Sequence, residues 1–377
     1  MNLKQMLVEM LNRKASDLHV RVGIRPHLRV NGSLEQINSD PLSMDEMEGV
    51  VGQILNEKQL ERFRRKNEMD LALSVAKLGR FRINLYRQRG TTGIAIRAVN
   101  TIVPSFEELN LPDVLRNLSK EKRGLICVTG TTGSGKSTTL ASMIENMNEN
   151  RVDSILTVED PIEYIYRDKK CIVSQREVGA DTESFSTALR HALRQDPDVI
   201  MIGEIRDIET MSIALTAADT GHLVLTTLHT LNAVETISRI ISFFPPHQHQ
   251  QIRLLLAGTL KAIVGQRLLT RNDMQGRVPA LEILVTSAAV RDAIMDTDKV
   301  ITIHDLIEQG EQYGMRSFDQ SIMELYRQGM ISFEEAMNQC SNPDDFDLRV
   351  KGITGASDRW TGEDEQTADQ SNGMQKY

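Results

Sequence analysis

The stretch CVTGTTGSGKSTTLASMI, Cys127 to Ile144, places Gly130, Gly135, Lys136 and Ser137 at the spacing GxxxxGK[ST]. The apolar run LICV precedes the loop and the amphipathic STTLASMIENMNE follows it, so the segment reads as strand, loop and helix. Each residue type has a physical task. Glycines let the chain curl until successive backbone N–H groups point inward as an anion nest. The helix N-terminus adds partial positive charge. Lys136 is placed to reach β- and γ-phosphates, and the Ser137 hydroxyl suits Mg²⁺. The loop Gly130, Thr131, Thr132, Gly133, Ser134, Gly135, Lys136, Ser137 and Thr138 is therefore expected to bind a nucleoside triphosphate.

Outward from this loop, short all-apolar runs alternate with helical segments: GLICV, SILTV, DVIMIG and LVLTTL. That is the pattern of a parallel sheet buried on both faces, so the fold class is α/β from about residue 113. Residues 230–350 read as mostly helical. Residues 1–100 read as a separate small α+β unit. MLVEMLNRK has helical spacing, and DLHVRVGIRPHLRVNGSL alternates and turns at Asn31-Gly32. SMDEMEGVVGQILNEKQLERFRRK is helical, opened by a capping box of Ser43 and Glu46. Two more strands are expected within residues 70–99. Residues 101–112, with two prolines and little periodicity, read as a linker. Residues 351–377 are polar and Gly-rich, with the composition of a disordered acidic tail.

The whole chain has 377 residues, enough for two or three domains, and a formal net charge of −8 with only 4% aromatics. That balance opposes non-specific nucleic-acid binding and base stacking, so no nucleic-acid partner is expected. Three scattered cysteines form no CxxC pair, which argues against a disulfide framework and for a reducing, cytoplasmic setting. The greasiest run, IRLLLAGTLKAIVGQRLL, is interrupted by Lys261, Gln266 and Arg267 and is too short and polar to span a bilayer.

The γ-phosphate needs more than a loop. The strand ILTV ends in Glu159, Asp160 and, shortly after, Glu163, any of which would stand at the carboxyl edge of the sheet. DVIMIGE ends in Glu204, an apolar strand closing on an acid, which is the Walker-B arrangement that sets a carboxylate by the metal. Ser137 and Glu204 are thus the candidate Mg²⁺ residues, the latter through water. His222 and His229 bracket a fourth strand, and His229 follows it on the phosphate side. HQHQQ at 247–251 lacks a companion carboxylate or cysteine set and reads as a helix start rather than a metal site. Positive charge for the transition state has candidates in Arg80, Arg82, Arg87, Arg89 and Arg97 of the first domain.

Taken together, GTTGSGKST, VEDPIEY, RQDPDVIMIGEIRDIET and TGHLVLTTLHT, in this order, resemble the secretion ATPase superfamily with its Walker A, Asp box, Walker B and His box. Within it the chain is similar to the type IV pilus retraction ATPases, the PilT/PilU family. The similarity runs from SDLH and GRFR through SFDQSIMELYRQGMISFEEA; CIVSQREVG and NPDDFDLRV lean toward the PilU branch, and SAAVRDAI diverges from the C-terminal helix motif of the PilT branch. The resemblance implies a RecA-like P-loop ATPase domain preceded by a PAS-like domain, with ATP and Mg²⁺ as cofactors. It implies Glu163 as the catalytic carboxylate, Glu204 as the Walker-B acid, His222 and His229 as the His-box pair, and Arg82 and Arg97 as arginines that reach a nucleotide. It also implies a homohexamer at the cytoplasmic face of the inner membrane that drives pilus retraction and twitching motility through a platform protein. A paralogous retraction ATPase is a further partner, and an accessory, PilU-like role is the alternative. A P-loop kinase would want a lid and acceptor site instead of the N-terminal domain, and a DNA-processing RecA-like ATPase is opposed by the charge.

Overall fold

The structure, a computed structural model, describes residues 2–353 apart from 31 and 274–275. Its contacts form two units that are not consecutive in sequence. The first takes residues up to 103 together with 158–168 and 175–188, and the second takes 104–157, 169–174 and the chain from 189.

In the first unit, helix α1 (Leu3–Asn12) precedes strands β1 (Asp17–Arg21), β2 (His27–Val30) and β3 (Ser33–Gln36). Helices α2 (Met44–Ile54) and α3 (Glu57–Lys66) follow, then β4 (Glu68–Val75), β5 (Gly79–Gln88) and β6 (Thr91–Ala98). The six strands form one antiparallel sheet in the order β3-β2-β1-β6-β5-β4. Ser43 and Glu46 do make the capping box of α2. The single helical stretch expected there breaks at Leu55, which is extended, and Asn56 caps α3 with Gln59. Three strands stand where two were expected, because Arg89 (φ +50) and Gly90 (φ +80) make a two-residue turn that reverses β5 into β6. Along β5, Phe81, Ile83 and Leu85 are buried, while Arg80, Arg82 and Asn84 alternate onto the other face. Leu7, Met10, Phe63 and Ile94 complete that core.

In the remaining chain, α4 (Asp113–Leu118) leads to β7 (Gly124–Thr129), α5 (Lys136–Asn150), β8 (Ser154–Glu159) and β9 (Ile172–Glu177). Then come α6 (Phe185–Ala192), β10 (Val199–Ile202), α7 (Ile208–Asp219), β11 (Leu223–Leu228), α8 (Ala233–Ser242), α9 (His249–Thr259), β12 (Leu260–Thr270) and β13 (Arg277–Val285). The sheet order is β13-β12-β7-β11-β10-β8-β9. Strands β12, β7, β11 and β10 run parallel, and every residue of β7, β10 and β11 is buried. The fold is the α/β parallel-sheet class that the apolar runs indicate.

The stretch 230–350, expected to be mostly helical, also holds strands β12 and β13. Helix α9 stops at Thr259, and the chain continues as β12, which pairs with β7 on one side and β13 on the other. A strand buried on both faces shows no alternation, so a run such as LKAIVGQRLL cannot be told from a buried helix by periodicity. Helices α10 (Ala288–Met295), α11 (Ile303–Glu308), α12 (Phe318–Arg327), α13 (Phe333–Gln339) and α14 (Pro343–Val350) follow. Phe318, Ile322, Leu325 and Phe346 pack on Leu269 and Val278 of the strand pair. Residues 101–112 hold no helix or strand. Of the tail segment, 351–353 close α14, with Gly352 N–H donating to Arg349 O at 3.1 Å, and 354–377 lie outside the described residues. Among the described residues, no helix is long and apolar enough to cross a membrane.

Candidate functional site

Because β7, β11 and β10 are adjacent and parallel, whatever follows them stands on one edge of the sheet. In sheet order these are the loop 130–135, His229 and Glu204. The loop is closed from below by β12. A Cβ at Gly130 (φ +142) would come well under 3.0 Å from the main-chain carbonyl of Gln266, and one at Gly135 (φ +88) would lie 2.8 Å from Gln266 Nε2. Gln266 is itself buried and accepts from Thr139 Oγ1 at 2.8 Å, which ties the floor of the loop to the first turns of α5. Nothing in the sequence marks Gln266 for this task.

Helix α5 begins at Lys136 with no side-chain cap and no acid in its first turn. The partial positive charge at this end of the helix therefore favours an external anion. Lys136 Nζ donates to Gly130 O at 2.8 Å and Thr131 O at 2.9 Å, so the ammonium is turned onto the loop that precedes it. Ser137 is exposed beside it. Ser134 Oγ is buried with no hydrogen-bond partner among the described residues. From the start of β13, Arg277 Nη1 lies 3.5 Å from Gly133 O, a second cation at the loop that was not anticipated.

Glu204 follows β10 and is mostly buried, and it pairs with Arg206 on one side and with His229 Nε2 at 3.3 Å on the other. Thr227 Oγ1 donates to Gly203 O at 2.6 Å and holds the two strand ends in register. Glu204 and His229 are thus brought together at the sheet edge that carries the loop 130–135. His222 is not. Leu223 pairs with Gly124 at the amino end of β7, and Gly124 N–H donates to His222 O at 3.0 Å. The length of β11, about 20 Å at 3.3 Å per residue, separates the two histidines within a chain.

The Asp-box acids belong to the first unit. Glu159 is buried and already serves as an acceptor, from Gln175 Nε2 at 3.2 Å and from Glu163 N–H at 3.4 Å. Asp160 and Glu163 are exposed. The ambiguity left by the sequence therefore narrows to those two. On the sheet of the same unit, Arg82 and Arg97 stand opposite each other across β5 and β6. Arg97 binds Asp17 Oδ1, Nη2 at 2.7 Å and Nε at 2.8 Å. Burial pushes the Asp17 carboxyl up, but the Ser16 hydroxyl and Arg97 outweigh it and hold it below its ordinary value.

The model of the family described as "Type II/IV secretion system protein" matches residues 1–338. The chain belongs to the type II/IV secretion system protein family. Among relatives from Pseudomonas aeruginosa, the type IV pilus ATPase PilU is 41% identical over 351 residues, 93% of this chain and 92% of its own length. The retraction ATPase PilT of the same organism is 41% identical over 92% of this chain and 100% of its own length. A crystal structure of the pilus retraction motor PilT with bound ADP has a TM-score of 0.84 and 41% identity, covering 91% of this chain and 98% of that one. The ATPase DotB of Legionella pneumophila, at 29% identity and a TM-score of 0.70, covers 93% of this chain and 95% of its own. Within this family frame Cys127 is not a candidate nucleophile, since burial pushes its thiol up to about 12.

Proposed function

We propose that this chain hydrolyses ATP and, as a homohexamer on the cytoplasmic side of the inner membrane, retracts type IV pili by acting on a platform protein. The observation that carries this reading is a complete phosphate loop in a chain that is 41% identical to PilT over that relative's full length. The loop N–H groups and Lys136 hold the phosphates. Ser137 and Glu204 offer the hard oxygen donors that Mg²⁺ takes, Glu204 through water, because its strand lies two strand spacings, about 10 Å, from β7. Mg²⁺, when bound, neutralises charge on the phosphate oxygens.

Glu163 accepts a proton from water as the water oxygen bonds to the γ-phosphorus and the β–γ bridge oxygen leaves with ADP. Its exposed carboxylate has the freedom to do so, whereas Glu159 is committed to the backbone. His229, bonded to Glu204, links the Walker-B acid to the next strand end and senses whether the γ-phosphate is in place. Arg82 and Arg97 supply positive charge to a nucleotide, from their own chain's first unit or a neighbour's.

The test mixes two inactive proteins. Glu163→Ala and Arg97→Ala are each prepared, shown to be nearly inactive, and combined under conditions that exchange subunits. Recovered ATPase activity supports sites shared between chains. Persistent inactivity with exchange shown by labelled subunits removes the shared-site mechanism. A second reading, an accessory ATPase working beside a paralogue, is favoured by the equal 41% identity to PilU. It predicts that pilus retraction in cells survives Lys136→Ala as long as the paralogue is active.

A further inference from the structure

The segment that carries Glu163 is fixed to the first unit by four consecutive backbone groups. Ile162 N–H donates to Glu177 Oε2 at 3.2 Å, and Glu163 N–H to Glu159 Oε2 at 3.4 Å. Tyr164 O accepts from Gln175 Nε2 at 2.8 Å, and Ile165 N–H donates to Asn100 O at 2.9 Å. The oxygen of Glu177 that holds Ile162 is the one that Arg80 Nη2 reaches, at 3.1 Å. Arg80 lies on β5, and its own carbonyl accepts from Val99 N–H at 2.9 Å, so it is built into the sheet margin next to Asn100. Glu177 is 6% exposed, and Arg80 Nε is buried with no hydrogen-bond partner among the described residues.

An ion pair between a half-buried arginine and a buried carboxylate that leaves one donor orphaned is a poor device for stability, since desolvation offsets much of the Coulomb gain. It is a good device for fixing a position, because the carboxylate can satisfy the arginine and the Ile162 amide only from one place. We propose that Arg80 and Glu177 are positioning residues that set the place of the Glu163 carboxylate by fastening its loop to the N-terminal sheet. This rests on the reading of Glu163 as the group that takes the proton from water. The phosphate loop belongs to the second unit, so the strut governs the chemical step and leaves nucleotide binding alone.

The experiment uses the full chain and reads kcat for ATP beside the Kd of a fluorescent ADP analogue and the thermal midpoint. Glu177→Ala is expected to lower kcat by one to two orders of magnitude, since a misplacement of about 1 Å costs about 10²-fold, with the Kd unchanged within about twofold. Glu177→Gln, which keeps an acceptor for Ile162 but not the charge, gives an intermediate loss and serves if the alanine variant does not fold. Arg80→Lys, which keeps a cation beside Glu177, recovers most of the activity lost in Arg80→Ala. Glu163→Gln is the control on the underlying reading: if it turns over normally, that reading fails and not the strut. If Glu163→Gln is inactive while Glu177→Ala and Arg80→Ala keep kcat within about threefold of the parent, the strut is refuted. A loss of kcat matched by an equal loss of ADP affinity refutes it as well, because that pattern is general damage and not positioning.

Discussion

The two glycines over β12 make separable demands. Gly135→Ala at φ +88 puts a side chain in a left-handed conformation, a strain of about 1–2 kcal/mol. Its Cβ also meets Gln266 Nε2 at 2.8 Å. The amide can swing away, but only by releasing Thr139, which is 1% exposed, and an unsatisfied buried hydroxyl costs about 1–3 kcal/mol. Together the loss is roughly 2–5 kcal/mol, or about 30-fold to several thousand-fold if it falls wholly on ADP affinity. Gln266→Ala removes the obstructing amide and forfeits the same Thr139 bond. The double variant Gly135→Ala/Gln266→Ala therefore counts that bond once, and the pair should show a coupling of about 1–3 kcal/mol. Gly130→Ala differs, because its Cβ meets the main-chain carbonyl of Gln266, which stays in place when the side chain is truncated. Strand β12 is fixed there by pairing to β7 and β13. Gly130→Ala/Gln266→Ala should be additive to within about 0.5 kcal/mol. The assay is titration of a fluorescent ADP analogue, with thermal midpoints of the nucleotide-free proteins to catch any part of the loss that appears as stability. Equal coupling in the two pairs, or none in the Gly135 pair, would refute the assignment of β12 as the floor of the loop.

Other consequences are quicker to state. Glu282 is buried, burial pushes its carboxyl above the ordinary Glu value, and it accepts from Ala233 N–H at 2.7 Å. Its contribution to stability is full below the ordinary Glu value and declines as pH rises, because the unfolded chain ionises first. Glu282→Gln should flatten that decline in thermal midpoints taken across pH, whereas Glu282→Ala should cost about 1–3 kcal/mol at low pH by orphaning the amide, a difference from the parent that shrinks as pH rises. Arg97→Ala breaks the bond to Asp17, but Arg97 is 61% exposed, so unfolding should shift by no more than about 1 kcal/mol while ATP turnover falls at least tenfold. A large change in unfolding with normal turnover would make Arg97 structural. Chelating divalent cations should abolish ATP turnover, restored by Mg²⁺, while the ADP analogue still binds to the loop amides and Lys136.

The strand–loop–helix geometry of the candidate phosphate loop was legible because it is contiguous: the glycines, Lys136 and Ser137 set the backbone curl and the helix start within nine residues, 130–138. The buried strands β7, β10 and β11, the Ser43 capping box and the place of Glu204 at a strand end were legible for the same local reason. Where the sequence was ambiguous, the missing information was long-range. Strand β12 reads like a buried helix until β7 and β13 are set on either side of it. Thr139 and Gln266 meet across 127 residues, and Arg80 and Glu177 across 97, pairings that no window of the chain contains. His222 and His229 look alike in one motif, yet a buried strand, whose rise is fixed by its backbone geometry, carries them to opposite ends of the sheet. Periodicity and turn chemistry record what each residue requires of its immediate neighbours. Which distant groups fill a cradle, commit Glu159 and leave Glu163 exposed is decided only when sheet order brings separate segments within hydrogen-bonding reach.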